Sequence, residues 1–144
     1  MKFYISQNAS ILIGCKFNCR NHFRIGANST INQGCHLDNR GGIFIGNNVS
    51  ISPKVSIITV DHDINSPSFN GRMGSVHIED YVFIGHQAII LKGVNLRVGS
   101  VVAAATCQTK DTIPFGVYGG VPAKLMSKRS EIFNYDTVYR RLFH

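Results

Sequence analysis

A histidine between two aspartates, Asp61-His62-Asp63, begins a polar segment in the middle of the sequence. A neutral imidazole, whose unperturbed pKa is about 6.5, can act as a general base on a hydroxyl group at neutral pH. Neighbouring side chains of an extended chain point to opposite faces. A backbone carbonyl or a distant acid is therefore at least as good a candidate for orienting the ring as the adjacent carboxylates. The competing interpretation is a solvated loop histidine.

A second group of chemically capable residues lies near the N-terminus and consists of Cys15, Cys19, His22, Cys35 and His36. Their spacing, Cys-x3-Cys-x2-His followed by an adjacent Cys-His pair, matches no standard zinc arrangement. We expect no metal, and we expect the cysteines to be small residues packed inside a repeat. Cys107 has no obvious basic partner that would activate its thiol.

Length and composition favour one domain with a real core, since 44% of the 144 residues are hydrophobic. No apolar stretch approaches the roughly 20 residues of a transmembrane helix. The N-terminus lacks the features of a signal peptide, so we expect a cytoplasmic protein.

The formal charge of +7, from 15 Lys and Arg against 8 Asp and Glu, points to an anionic partner or to a solvated basic surface. The partner classes are nucleic acid, a phosphate-bearing cofactor and an anionic glycan. Nucleic acid is disfavoured because the basic residues are scattered rather than clustered with aromatics. They become denser only near the end of the chain, at Lys124, Lys128, Arg129, Arg140 and Arg141.

Aliphatic or small residues recur at intervals of six along most of the chain. They are Ile13, Cys19, Ile25, Ile31, Leu37 and Ile43, then after a two-residue slip Ile45, Ile51 and Ile57, and finally Ile78, Ile84, Ile90, Leu96 and Val102. A track of mostly smaller residues runs four positions behind. A period of six fits neither a helix nor a simple alternation. It predicts one short strand and one turn per hexapeptide, with three hexapeptides closing a triangular coil and stacked coils burying the core. A β-sandwich is the alternative, although its strands favour wider spacing.

The period fails between Ile57 and Ile78, and residues 59–77 are predicted to form a protruding loop. Beyond Lys128, the residues Ile132, Tyr135, Val138, Tyr139 and Leu142 follow a helical spacing, with Ser130 as a possible N-cap. We therefore divide the chain into a β-helical domain, 1–128, and a short C-terminal helical segment, 129–144.

The blocks IGNNVSISPKVSI and IEDYVFIGHQAIILKGVNLRVGSVVAAATCQTKDTIPFGVYGGVPAKL resemble the hexapeptide-repeat acyltransferase family, most closely its small sugar and polysaccharide O-acetyltransferases. The resemblance implies an all-β, left-handed parallel β-helix and a homotrimer with active sites between subunits. It also implies transfer of an acetyl group from acetyl-CoA to a hydroxyl of a sugar or surface polysaccharide. His62 matches the position of the family's general base.

The same resemblance assigns cofactor contacts. Phe83 matches a tryptophan beside the acetyl group, while Ala104, Thr109 and Lys110 match cofactor-contacting positions. The segment GGVPAK, 119–124, matches the loop that leaves the coil beside the cofactor, and Lys124, Lys128 and Arg129 are candidates for its phosphates. His86 departs from the family, which usually has a small residue there.

Asp61 and Asp63 are candidates for substrate binding. Two other functions remain open, namely an N-acetyltransferase of a nucleotide-linked amino sugar and a non-catalytic β-helix that binds or scaffolds. Relatives of the carbonic-anhydrase kind need three histidines at one phase of the repeat, and His62, His77 and His86 do not share one.

Overall fold

The structure, a computed structural model, describes residues 2–140. It is a stack of five complete coils and the start of a sixth, and each complete coil contributes three short strands. The first three coils comprise β1 (Tyr4–Ile5), β2 (Ser10–Ile11), β3 (Lys16–Phe17), β4 (Phe23–Ile25), β5 (Thr30–Ile31), β6 (His36–Asp38), β7 (Ile43–Ile45), β8 (Ser50–Ile51) and β9 (Ser56–Ile58). A hairpin follows, with β10 (Val60–His62) and β11 (Gly71–Met73). The remaining strands are β12 (Val76–Ile78), β13 (Phe83–Ile84), β14 (Ile89–Ile90), β15 (Asn95–Leu96), β16 (Val101–Val102), β17 (Cys107–Gln108), β18 (Gly116–Gly119) and β19 (Lys124–Lys128).

Equivalent strands of successive coils pair in parallel and form the three faces of a prism. The first sheet has the order β1-β4-β7-β12-β15, the second β2-β5-β8-β13-β16-β18, and the third β3-β6-β9-β14-β17. The antiparallel strand β19 is added beyond β18 at the C-terminal end of the second sheet. The turns between the faces form three corners, which we call the 1–2, 2–3 and 3–1 corners after the sheets they join. The predicted parallel β-helix is confirmed.

The two hydrophobic tracks fill the inside of the prism. Each strand points its aliphatic residue inward, together with the smaller residue two positions earlier, as in Val49 with Ile51 and Val55 with Ile57. These four side chains are fully buried, and each stacks on its equivalents in the coils above and below. Because one coil cannot cover its own interior, this stacking supplies the hydrophobic stabilisation of the fold.

The predicted phase of the repeat is wrong in the first coil. Ile13 is 89% exposed at the 2–3 corner, whereas Ile11 and Phe17 pair with Ile31 and Leu37 and pack against the core. The early coils therefore advance by 20 residues, not 18, because each carries a two-residue insertion at the 3–1 corner.

Asn39, which is fully buried, holds one such insertion. Its side-chain oxygen accepts hydrogen bonds from the Asn18 and Cys19 amides, and its nitrogen donates to the carbonyls of Cys19 and Asn21. All the hydrogen-bonding capacity of this buried amide is thus used inside the fold, which makes it a structural residue.

The predicted C-terminal helix is wrong for the residues described. Residues 129–140 contain no helix or strand, and the hydroxyl of Thr137 donates to the carbonyls of Asn28 and Val49 at the 1–2 corner. Thr30, an outward-facing residue of β5, is only 4% exposed and donates to the Thr137 carbonyl. The 1–2 corner of the stacked coils offers backbone carbonyl acceptors to the C-terminal segment. A short isolated helix, by contrast, is only marginally stable in water. Leu142 lies outside the described residues. Across residues 2–140, the chain has no helix long and apolar enough to cross a membrane.

Candidate active site

The predicted protruding loop is an antiparallel hairpin at the 3–1 corner. It leaves the third sheet after β9 and returns to the first sheet at β12, and Asp61 of β10 pairs with Arg72 of β11. Its base is fixed because the Gly74 amide donates to the Thr59 carbonyl. A Cβ atom on Gly74 would lie 3.0 Å from the Gly93 nitrogen, so the hairpin returns tightly against the next coil.

The imidazole of His62 is held by a single residue across the hairpin, Phe69. The Nδ1 atom lies 3.0 Å from the Phe69 carbonyl oxygen, and the two rings stack with centroids 4.3 Å apart and planes within 3° of parallel. A carbonyl can only accept a hydrogen bond, so Nδ1 carries the proton and Nε2 of the neutral ring keeps a free lone pair. Phe69 has a φ of 51°, in the left-handed region that non-glycine residues seldom adopt.

The carboxylates beside His62 are engaged elsewhere. Asp61 accepts two hydrogen bonds from Arg72, at 2.8 and 3.1 Å, and lies 3.7 Å from the Lys92 ammonium of the next coil. The Arg72 guanidinium, followed by Lys92, lowers the pKa of Asp61. Asp63 caps the hairpin turn by accepting from the Asn65 amide. Neither carboxylate orients the imidazole, and Asp61 ties the hairpin to the coil.

The predicted cofactor positions lie along two different corners. Ala104 is exposed at the 2–3 corner, next to Gly85 of the preceding coil, and Phe83 faces outward from the second sheet, 40% exposed. An added Cβ on Gly85 would lie 2.5 Å from the Ala104 nitrogen, so only glycine lets these turns stack. Thr109 and Lys110 are exposed at the 3–1 corner, the corner of the hairpin. His86 is also exposed at the 2–3 corner, and its carbonyl accepts from the Ala105 amide.

Lys124 and Lys128, two of the predicted phosphate ligands, lie at opposite ends of β19. Lys124 pairs with Gly119 near the 2–3 corner, whereas Lys128 pairs with Gly116 at the opposite end of the strand. Four residues of extended chain place them roughly 13 Å apart. Both lysines are exposed. Lys124 therefore lies on the Ala104 side of the prism and Lys128 does not.

Arg129 is part of the packing at the 1–2 corner. Its guanidinium lies 4.5 Å from the centroid of the Phe133 ring and donates to the Tyr135 hydroxyl at 3.0 Å. It also approaches the carbonyls of Tyr81 and Gly99. Because these contacts occupy the guanidinium, Arg129 is poorly placed to bind a cofactor phosphate. The same contacts anchor the C-terminal segment.

One chain does not bring all the candidate residues together. His62 and Lys110 share the 3–1 corner, while Ala104 and Lys124 lie at the 2–3 corner, across the width of the third sheet. Within one chain the two groups therefore lie at different corners of the prism.

Phe69 and Lys92 are the contacts that the sequence did not indicate. Phe69 stands seven residues from His62 in a segment without periodicity, and Lys92 lies in the next coil. Both contacts depend on the hairpin register and on coil stacking, and no local motif encodes either of them.

No cluster of three or more potential metal ligands occurs within residues 2–140. Instead, the thiols of Cys15, Cys19 and Cys35 donate to backbone carbonyls of Asn32, Asn21 and Ser52. Burial raises the pKa of Cys35 to about 11. The three thiols behave as small residues of the coil interior and its corners.

Sequence comparisons relate the chain to acetyltransferases. No protein-family model matches the sequence. A Schizosaccharomyces pombe protein named as an acetyltransferase is 36% identical over 86 residues, covering 58% of this chain and 42% of that protein. A 2,3,4,5-tetrahydropyridine-2,6-dicarboxylate N-acetyltransferase of Staphylococcus aureus is 44% identical over 57 residues, covering 40% of this chain and 24% of the enzyme. The chain spans less than half the length of these curated relatives.

Solved structures match over more of the chain. A hexapeptide-repeat-containing acetyltransferase of Vibrio cholerae superimposes with a TM-score of 0.83 at 26% identity, covering 87% of this chain and 73% of the other. Its complex with acetyl coenzyme A gives 0.74 at 26% identity, with 90% and 69% covered. A maltose O-acetyltransferase of Clostridium difficile gives 0.82 at 27% identity, with 90% and 71% covered.

The resemblance to the hexapeptide-repeat acyltransferases is therefore confirmed in sequence and in structure. A mirror-image coil would not superimpose at these scores, so this chain shares the left-handed β-helix of that family.

Proposed function

We propose that this protein transfers an acetyl group from acetyl-CoA to a hydroxyl of a sugar or surface polysaccharide, with His62 as general base. The observation that carries the proposal is the Nδ1–Phe69 hydrogen bond, which leaves Nε2 unprotonated on an exposed hairpin. A hydroxyl needs such a base because it is a poor nucleophile when neutral. The predicted cytoplasmic location stays part of this proposal.

The proton follows one path through His62. Nε2 would take it from the acceptor hydroxyl as that oxygen forms a bond to the acetyl carbonyl carbon. His62 would then give the proton to the departing sulfur as the carbon–sulfur bond breaks, so that free CoA and the acetyl ester leave and the neutral imidazole is restored. Backbone N–H groups are the donors we assign to the charge developing on the carbonyl oxygen. In this direct transfer no residue would need to carry the acetyl group.

The 2–3 corner fits a thioester cofactor. Ala104 is exposed and Gly119 half-buried there, and they provide an edge of small residues along which a narrow pantetheine arm can lie, with Lys124 at its end. Phosphates bind lysine and arginine, which agrees with the exposed ammonium group there. The Vibrio cholerae relative with bound acetyl coenzyme A supports the choice of cofactor.

We propose a homotrimer, which the resemblance to the acyltransferase family implies and which the separation of the two corners supports. Because the base and the small-residue edge lie on opposite sides of the third sheet, we propose that neighbouring subunits complete each site. Light scattering at micromolar concentration should give a mass close to three times the chain mass of 15.9 kDa. A mass near 15.9 kDa would contradict this arrangement.

Transfer to a nitrogen of an amino sugar is the second candidate, and the Staphylococcus aureus N-acetyltransferase favours it. The same base and cofactor would serve both reactions. A screen with radiolabelled acetyl-CoA separates them if each sugar is offered beside its 2-amino analogue. Labelled product from the neutral sugar, stable to mild acid but released by hydroxylamine, supports the ester.

Calorimetry with CoA tests the enzyme proposal against a non-catalytic β-helix. Binding that weakens as salt rises is expected, because exposed charge pairs are screened. No heat at millimolar CoA, together with no labelled product, would favour the scaffold.

A further inference from the structure

The N-terminal part of the prism carries an unbalanced positive charge. Residues 1–60 contain six Lys or Arg residues and one acidic residue, Asp38, a net charge of +5. Asp38 is paired with Arg40 in the same coil, at 2.8 Å. The other five cations are Lys2, Lys16, Arg20, Arg24 and Lys54, and within residues 2–140 no carboxylate lies within 4 Å of any of them.

Three of the five converge at one place. The backbone of Lys2 forms an antiparallel β-bridge with Asn21, the residue after Arg20. The Arg24 guanidinium lies over the Tyr4 ring, 5.4 Å from its centroid. They surround two neighbouring cavities of about 410 and 430 Å³, which share Phe3 as a wall. We call Lys2, Arg20 and Arg24 the N-terminal basic patch. Among residues 2–140, no acidic side chain lines either cavity.

Two residues of the N-terminal basic patch, Lys2 and Arg20, lie at the same corner as His62, and Arg24 lies beside them on the first sheet. Arg20 occupies the 3–1 corner after the first coil, and the hairpin leaves that corner after the third. Two coil steps separate them, roughly 10 Å along the prism axis. The proposed cofactor residues all lie in coils C-terminal to the hairpin, so they and the N-terminal basic patch lie on opposite sides of the hairpin along the prism axis.

We propose that the N-terminal basic patch binds the negative charges of an anionic glycan whose hydroxyl is presented to His62. This inference rests on the proposed function and names its acceptor class, a polymer or oligomer bearing carboxylates or phosphates. Each guanidinium offers a planar fork that matches carboxylate and phosphate oxygens. The glycan would lie along the 3–1 corner, with its charged end at Arg20 and Arg24.

A single-stranded nucleic acid fits this surface less well. Such ligands stack their bases on open aromatic faces. Here one face of Tyr4 is covered by Arg24, and Phe3 packs against Phe17 and Phe23 with centroids 4.9 and 5.0 Å apart. The patch offers charge and hydrogen-bond donors but few ring faces, which suits a saturated anionic sugar.

The test is fluorescence anisotropy with fluorescein-labelled oligogalacturonate, with a maltodextrin of equal length as the neutral probe and a single-stranded oligonucleotide as competitor. The variant is Arg20→Gln/Arg24→Gln. Its matched control is Lys16→Gln/Lys54→Gln, which removes two unpaired cations that also lie in the first three coils but on the third sheet and at the 2–3 corner. We expect the first variant to bind oligogalacturonate about three- to tenfold more weakly and the control to bind like wild type. Binding should weaken with salt in both proteins.

Equal loss in the two variants, equal binding of maltodextrin, or tighter binding of the oligonucleotide would each overturn the inference. His62→Ala separates it from the proposed function, since that variant should bind oligogalacturonate normally. Binding at the patch without any acetyl transfer would refute the enzyme and leave the binding surface. Acetylation of neutral sugars only, at the same rate in Arg20→Gln/Arg24→Gln, would keep the enzyme and refute the acceptor class.

Discussion

Replacing Phe69 by alanine should lower the rate of transfer without changing the affinity for the acyl donor. The substitution leaves the backbone carbonyl that accepts from His62 Nδ1, but it removes the ring that stacks on the imidazole at 4.3 Å. Stacked aromatic pairs are worth about 0.5–1.5 kcal/mol beyond their buried area. If that energy holds the base in its productive orientation, kcat should fall roughly two- to tenfold. KM for acetyl-CoA should stay the same, because Phe69 lies in the hairpin and not at the 2–3 corner.

Three variants make the measurement specific. Phe69→Tyr keeps the ring and should restore kcat, and Ile64→Ala, an 81% exposed residue of the same hairpin, should have no effect. Thiol release from acetyl-CoA, with an acceptor identified in the radiolabel screen, gives kcat and KM. The ¹⁵N resonances of His62 report which ring nitrogen carries the proton, and the Nδ1–H form should dominate in wild type and in Phe69→Tyr.

Several results would refute this reasoning. A loss of kcat well beyond about a hundredfold would mean that the ring does more than orient the base. An equal loss in Ile64→Ala would point to general disruption of the hairpin. A change confined to KM, or a dominant Nε2–H tautomer in wild type, would show that the His62–Phe69 contact does not prepare the base.

The remaining predictions concern the coil and its edge. Leu37→Ala, which empties a fully buried position, should lower the free energy of unfolding by about 2–5 kcal/mol in urea titrations, whereas Ile13→Ala should change it by less than about 0.5 kcal/mol. Equal losses of unfolding free energy in the two variants would mean that Ile13 points into the core, as the spacing of six predicts. Cys35, whose pKa burial raises to about 11, should resist thiol reagents at pH 8 until the protein unfolds, and rapid labelling of all four cysteines would contradict its placement. Lys124→Glu should raise KM for acetyl-CoA about three- to tenfold with little change in kcat, and Lys128→Glu should not, because they lie at opposite ends of β19. Equal effects would refute this map of the phosphate end.

The pH dependence offers a further check on which group titrates. Arg72, and after it Lys92, depress the pKa of Asp61 below its usual value of 3.8, so the ion pair contributes to hairpin stability above about pH 4. That contribution is lost as pH falls through the lowered pKa. Between pH 5 and 8 the pair should therefore stay ionised, and activity changes in that window should persist in Asp61→Asn. Their disappearance in Asp61→Asn would assign them to the carboxylate.

Much of the coil could be predicted from the sequence because its physical cause is local and repeated. Each buried aliphatic such as Ile51 or Ile84 meets its equivalent one coil away, and a period of six records that contact directly. The error at Ile13 arose in the terminal coil, where an exposed aliphatic and a two-residue insertion imitate the regular spacing. The C-terminal segment was mistaken for a helix because its actual partners, Asn28 and Val49, are far away in the chain.

In the candidate site, too, the local features could be predicted and the contacts between distant residues could not. His62 could be selected because a repeat that stops abruptly marks a loop, and the chain resumes its period at Ile78. The partner of its ring could not be identified, since the Phe69 carbonyl reaches Nδ1 only once the β10–β11 register is set. The placement of the predicted cofactor residues at two different corners likewise depends on how the chain winds around the coil.

The most direct test of the account compares His62→Ala with wild type in acetyl transfer and in CoA binding. We expect transfer from acetyl-CoA to fall by roughly 10²–10⁴, the usual worth of a general base, while calorimetry gives an unchanged affinity for CoA and the variant unfolds like wild type. Near-native turnover by His62→Ala would contradict the central claim that this imidazole removes the acceptor proton.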